Sequence, residues 1–132
     1  MTTASWSSFC SRLSATMAGL EAALRTELPS ADRADVLKLV AGIMVVHEAA
    51  ADALPDVQGL NRVLRQHLGN GFSWFACVQF LSGARARDTF ARHRLRLASL
   101  IDPVLIAFAD HALPRMGQML RCMSGAVSAG RP

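Results

Sequence analysis

Apolar residues Trp6, Phe9, Leu13, Met17, Leu20, Leu24 and Leu28 advance by steps of three and four, drawing one stripe down a long first helix that Pro29 ends. The stripe repeats nearer to eleven residues than to seven, since Trp6, Met17 and Leu28 align, and this fits a straight bundle helix better than a left-handed coiled coil. Glu21 and Arg25 form an i,i+4 pair on the opposite side, worth about 0.3 kcal/mol.

A second helix, capped by Ser30 or Asp32, runs to about Leu54 before Pro55. From Val36 to Val46 its one charge is Lys38 and apolar residues fall on every side, so it must be covered all round, at the centre of a bundle. Asp56 caps a short third helix through Val57, Leu60, Val63, Leu64 and Leu68, and Gly69 with Asn70-Gly71 stops it.

Residues 72–81, FSWFACVQFL, suit a buried strand as well as a buried helix. No second strand candidate exists to pair with them, so helix follows by elimination, ending near Gly83. A fifth helix from about Arg85 to Leu100 carries Phe90, His93, Leu97, Leu100 and Ile101 on one face. Arg85, Arg92 and Arg96 project from the other, with Arg87 and Arg94 on the flanks. Asp102-Pro103 is an N-cap followed by proline at the first helical position. Pro114 is expected to end or kink this sixth helix, and Met116, Met119, Leu120 and Met123 continue an apolar stripe beyond it. The expectation is a single all-α domain, a bundle of five to six helices over residues 1–132, with 1–4 and 125–132 as frayed termini.

Composition adds an apolar surplus: 52% of residues are hydrophobic and 18% charged, where about 45–50% and about 25% are usual. The core is therefore large for the size, or apolar surface remains for a partner. Cys10, Cys77 and Cys122 are three widely spaced residues with no C-x-x-C pair, so they read as reduced, buried thiols. Neither a secretory signal nor an apolar run long enough to span a bilayer is found, and the expected location is cytoplasmic. Charge is uneven: residues 1–84 carry net −1 and residues 85–132 net +5. Almost all the cations are arginine, which with the many alanines fits a GC-rich, bacterial coding sequence and so says little about phosphate binding.

Candidate chemistry mostly fails on spacing. A di-iron bundle needs Glu-x-x-His pairs, but Glu48 is followed at that spacing by Ala51 and Glu21 by Leu24. His47-Glu48 opens like H-E-x-x-H and again meets Ala51. His47, His67, His93 and His111 lie in four different helices, and His93 on an apolar face reads as a core histidine. Gly69-x-Gly71 lacks the strand and third glycine of a dinucleotide loop, and aromatic neighbours would raise the Cys77 thiol pKa. No catalytic set, metal or cofactor is assigned.

Two partner-binding features remain. Arg85, Arg87, Arg92, Arg94 and Arg96 make a positive surface suited to an acidic protein or to phosphates, partly offset by Asp88. Phe72, Trp74 and Phe75, together with Met116, Met119 and Met123, supply apolar groups of the kind used at adaptable interfaces. The reading is a non-enzymatic interaction module, a regulator, adaptor or dedicated chaperone, that binds a protein partner through an apolar groove and the arginine helix and self-associates as a homodimer. The alternative is a nucleic-acid-binding regulator, although only Thr89 and Ser99 lie among the arginines to read bases. A bundle holding a small ligand or metal ranks third.

Overall fold

A computed structural model describes residues 2–51 and 57–129, with side chains over 7–49 and 58–116. Its elements are α1 (Thr2–Leu24), α2 (Ser30–Ala51), α3 (Val57–Leu68), α4 (Trp74–Ser82), α5 (Ala84–Ala98) and α6 (Pro103–Ala129), with no strand among the described residues. The chain is an all-α bundle, as the periodicity predicts. Helical backbone runs from Thr2 in α1 to Ala129 in α6 among the described residues.

The α1 stripe is the core face: Phe9, Leu13, Met17, Leu20 and Leu24 are all buried. The helix stops at Leu24, short of Pro29, because the Glu27 and Leu28 amides both turn back onto the Leu24 carbonyl. Glu21 pairs with Arg33 of α2 at 3.2 Å instead of with Arg25, since the tight turn brings the start of α2 alongside it.

Helix α2 is central, as its all-round apolar character requires. Asp35 to Val45 are buried apart from half-buried Lys38, and α2 packs on each of the other five helices. Gly42 lets α4 come close: a Cβ there would lie 2.8 Å from Cγ of the buried Leu81 on α4. The expected continuation of α2 to Leu54 and the Asp56 cap lie outside the described residues.

Gly69 ends α3 with φ at +107°, the left-handed stop its sequence predicts. The 72–81 segment is helical from Trp74, with the Ser73 hydroxyl accepting from the Ala76 amide at 3.3 Å, and Gly83 closes it. The Asp102 carboxylate caps α6 by accepting from the Val104 amide at 2.9 Å. Helix α6 passes through Pro114 without ending. Only the Asp110 carbonyl loses its helical donor there, and both residues are exposed, so water can serve it.

Candidate partner-binding groove

The positive surface of α5 is largely discharged by its neighbours. Arg85 Nε binds Asp35 Oδ2 of α2 at 2.9 Å, Arg92 binds Asp88 one turn back at 3.2 Å, Arg94 makes a two-point contact with Asp110 of α6, and Arg96 reaches both oxygens of Glu27 at 3.0 and 3.1 Å. Arg87 donates to the Ser82 carbonyl at 3.4 Å. Four of the five guanidinium groups thus meet one carboxylate each, and the fifth meets a backbone carbonyl. The charge sits on the predicted face, but Asp35, Asp110 and Glu27 come from other elements, and their approach has no signature in the α5 sequence. The hydrogen bond from Arg94 holds the Asp110 carboxyl below its usual range.

The apolar candidates separate. Phe75 is 57% exposed and meets Trp74 edge-on at 6.1 Å, while Phe72 and Trp74 are half-buried. Lys38 Nζ lies 5.4 Å from the Phe72 ring centre, and Asn61 Oδ1 accepts from the Trp74 amide at 2.9 Å, tying α4 to α3. Met116 is buried in the core, and the side chains of Met119 and Met123 lie outside the described residues. Phe72, Trp74, Phe75 and Met116 lie outside the cleft between α1 and α6.

A groove does exist, elsewhere. Helices α1 and α6 both pack on the bundle but, among the described residues, have no Cα pair within 8 Å of each other. Between them opens a cleft of about 550 Å³. Arg12, Ala15, Thr16 and Gly19 form its α1 wall, Met44, His47 and Glu48 of α2 its floor, and Leu100, Ile101, Val104 and Leu105 the facing wall. From Phe9 to Leu20 it follows α1 for roughly 17 Å, or three helical turns.

Small residues on α1 make the opening. A Cβ added at Gly19 meets nothing within 4 Å, and opposite it Val104 is 55% exposed. The polar end is built from Arg12, which lies 5.5 Å from the Phe9 ring centre and 3.7 Å from Glu48, too far for a hydrogen bond. His47 beside it stands edge-on to Phe108 with centroids 5.0 Å apart. The sequence presents Glu48 only in incomplete metal motifs, and His47 there and, with His111, as a contact for a small ligand between helices. The signal passed over was the small pair Ala15 and Gly19, four apart beside the apolar stripe.

The other reactive side chains serve the fold. Ser14 Oγ and His67 Nε2 are 2.9 Å apart, but Ser14 lies in the middle of α1, where backbone amides are spent on the helix and none can form an oxyanion hole; the contact joins α1 to α3. Burial pushes the Cys77 thiol up to about 12, against the lowering effect of the Lys38 charge, which keeps the thiolate scarce near neutral pH. Among the described residues no three of His, Cys, Asp and Glu gather as a metal site, and no helix is long and apolar enough to cross a membrane. Compared with protein-family models, curated proteins and solved structures, the chain matches none.

Proposed function

We propose that this chain is a non-enzymatic interaction module that seats an amphipathic helix of a protein partner in the groove between α1 and α6. The single observation that carries the reading is the separation of those two helices, which leaves an open, mainly apolar trough over α2. Helix-in-groove recognition asks for such a trough, with anchors spaced over two or three turns. Small side chains at Ala15, Thr16 and Gly19 let a guest backbone approach to the 8–10 Å typical of packed helices. Arg12, His47 and Glu48 at one end and Asp102 at the α6 cap give polar marks that set its direction.

The arginine helix recedes to a secondary part. Phosphate contacts from Arg85, Arg92, Arg94 or Arg96 would have to displace carboxylates that already hold them, which disfavours the nucleic-acid alternative. A second copy of the chain presenting its own apolar face is the homodimeric form of the same reading.

Gly19→Trp is the test, because it adds bulk to the trough from a position where a Cβ meets nothing within 4 Å. A partner recovered by the wild-type protein from its source cells and identified by mass spectrometry should be lost at least tenfold with this variant, while helical content and melting are kept. If the partner is a second copy, sedimentation should show the wild type as a dimer and the variant as a monomer. Undiminished capture by Gly19→Trp would overturn the groove, and gel retardation of nucleic acid at low salt would favour the alternative.

A further inference from the structure

Helix α4 reaches the surface without a single charged residue. Phe75, Val78, Gln79 and Ser82 follow one another at helical spacing along its outer side, with Phe75 57% exposed and Gln79 exposed beside it. An exposed ring by itself is ordinary, but the charges around this one are one-sided. From Val57 to Arg87 the sequence holds no Asp or Glu, so α3, the turn after it and α4 are free of acids.

The backbone brings cations to the aromatic residues. Asn61, Arg65 and Gly69 lie one turn apart along one line of α3, and the Gly69 amide donates to the Arg65 carbonyl. The Phe72 amide donates to the Gly69 carbonyl at 3.1 Å and the Trp74 amide to Asn61 Oδ1 at 2.9 Å, so the aromatic segment runs back along that line with Arg65 between its two ties. Arg62 and Arg65 are exposed, and among the described residues neither guanidinium has an ion-pair or hydrogen-bond partner, unlike the four α5 arginines held by carboxylates. Lys38 adds a third positive charge 5.4 Å from the Phe72 ring centre, and Glu21, which shares a recess with Lys38 and His67, is held by Arg33.

Trp and Phe side chains settle at the boundary between lipid headgroups and acyl chains, and cations beside them are drawn to anionic lipid. We infer that the corner formed by α3 and α4 is a docking surface for an anionic phospholipid bilayer, with Phe75 entering the interface, Arg62 and Arg65 meeting headgroups and Lys38 adding to the positive field. The chain lies on such a surface and does not cross it. Single-stranded nucleic acid is also anionic, but it stacks bases on open ring faces; Lys38 covers one face of Phe72, and Trp74 meets Phe75 edge-on at 84°. No residue of this corner lines the groove between α1 and α6, so the two readings stand or fall separately.

The experiment sediments the intact protein at low salt with vesicles of phosphatidylcholine alone, and with vesicles in which about one-third of the lipid is phosphatidylserine. The protein should spin down with the anionic vesicles and bind the neutral ones about tenfold or more weakly. Arg65→Gln should weaken binding about fivefold, the share of one cation near such a surface, whereas Arg92→Gln removes the same charge from α5 and should change it by less than about twofold. Phe75→Ala should weaken it about three- to tenfold, as loss of a partly inserted ring requires. The inference is overturned if the wild-type protein stays in solution with anionic vesicles, if it binds both compositions alike, if Arg92→Gln acts as Arg65→Gln does, or if Phe75→Ala leaves affinity unchanged. A single-stranded oligonucleotide that binds where the vesicles do not, and is lost with Arg65→Gln, would assign the corner to nucleic acid instead. The two lipid compositions are compared on the wild-type protein, so a misfolded substitution leaves the test intact.

Discussion

Cys77 illustrates how a residue's chemistry is set by where the fold puts it. Desolvation on α4 drives its thiol from 9.0 up to about 12, with Lys38 opposing in part. The folded chain therefore prefers the neutral thiol more strongly than the unfolded chain does. That advantage is intact below pH 9.0 and is lost as pH rises towards the folded value. Native protein at pH 8 should leave Cys77 unmodified by iodoacetamide until denaturant is added, as peptide mapping would read. Urea midpoints should fall above pH 9 with a slope that Cys77→Ala makes shallower. The aromatic and apolar neighbours in the sequence already pointed to a raised pKa, because burial of the segment could be read from them. The arginines are the opposite case, since their partners are up to 69 positions away in the chain.

Among the elements, the caps were the most legible. Asp102-Pro103 and the Gly69 stop act through neighbouring backbone groups, so local sequence contains all the atoms involved. Residues 72–81 needed an argument by elimination, and Ser73, the actual cap, stood unremarked within the apolar run. How closely two helices meet was not legible. Gly42 lies against Leu81, and Gly42→Ala would gain about 1 kcal/mol in helix propensity yet cost about 1–3 kcal/mol in overpacking, because buried Leu81 has little room to move. A net loss of about 1 kcal/mol is expected by chemical denaturation. The double variant with Leu81→Ala should lose less than the two single losses combined, since the new methyl fills part of the vacated space. Pro114 taught the reverse lesson: proline ended nothing, because buried Leu113 and Met116 hold the helix on both sides of it.

At the scale of the molecule, ion pairs join helices around the core. Arg12–Glu48 and Glu21–Arg33 join α1 to α2, Asp35–Arg85 joins α2 to α5, and Arg94–Asp110 joins α5 to α6. Asp110 has its pKa lowered from 3.8 by the Arg94 hydrogen bond, so its contribution is full above 3.8 and disappears as pH falls through the lower folded value. Urea midpoints measured through that window should decline, and Asp110→Asn should decline less steeply. The pair is exposed, so the difference is expected to be small. The same scale holds the groove, which belongs to no helix: it is the space left because α1 and α6 both pack on α2 and, among the described residues, not on each other.

The sequence by itself determined the helices, their apolar faces and the central place of α2, because a 3.6-residue period and a helix apolar on all sides are properties of the chain alone. Only the tertiary structure decided which arginines were neutralised, which aromatic stayed exposed and where a trough opened. Those outcomes depend on distances between elements remote in sequence, fixed by how side-chain volumes pack around Gly42 and its neighbours, and no periodicity records them.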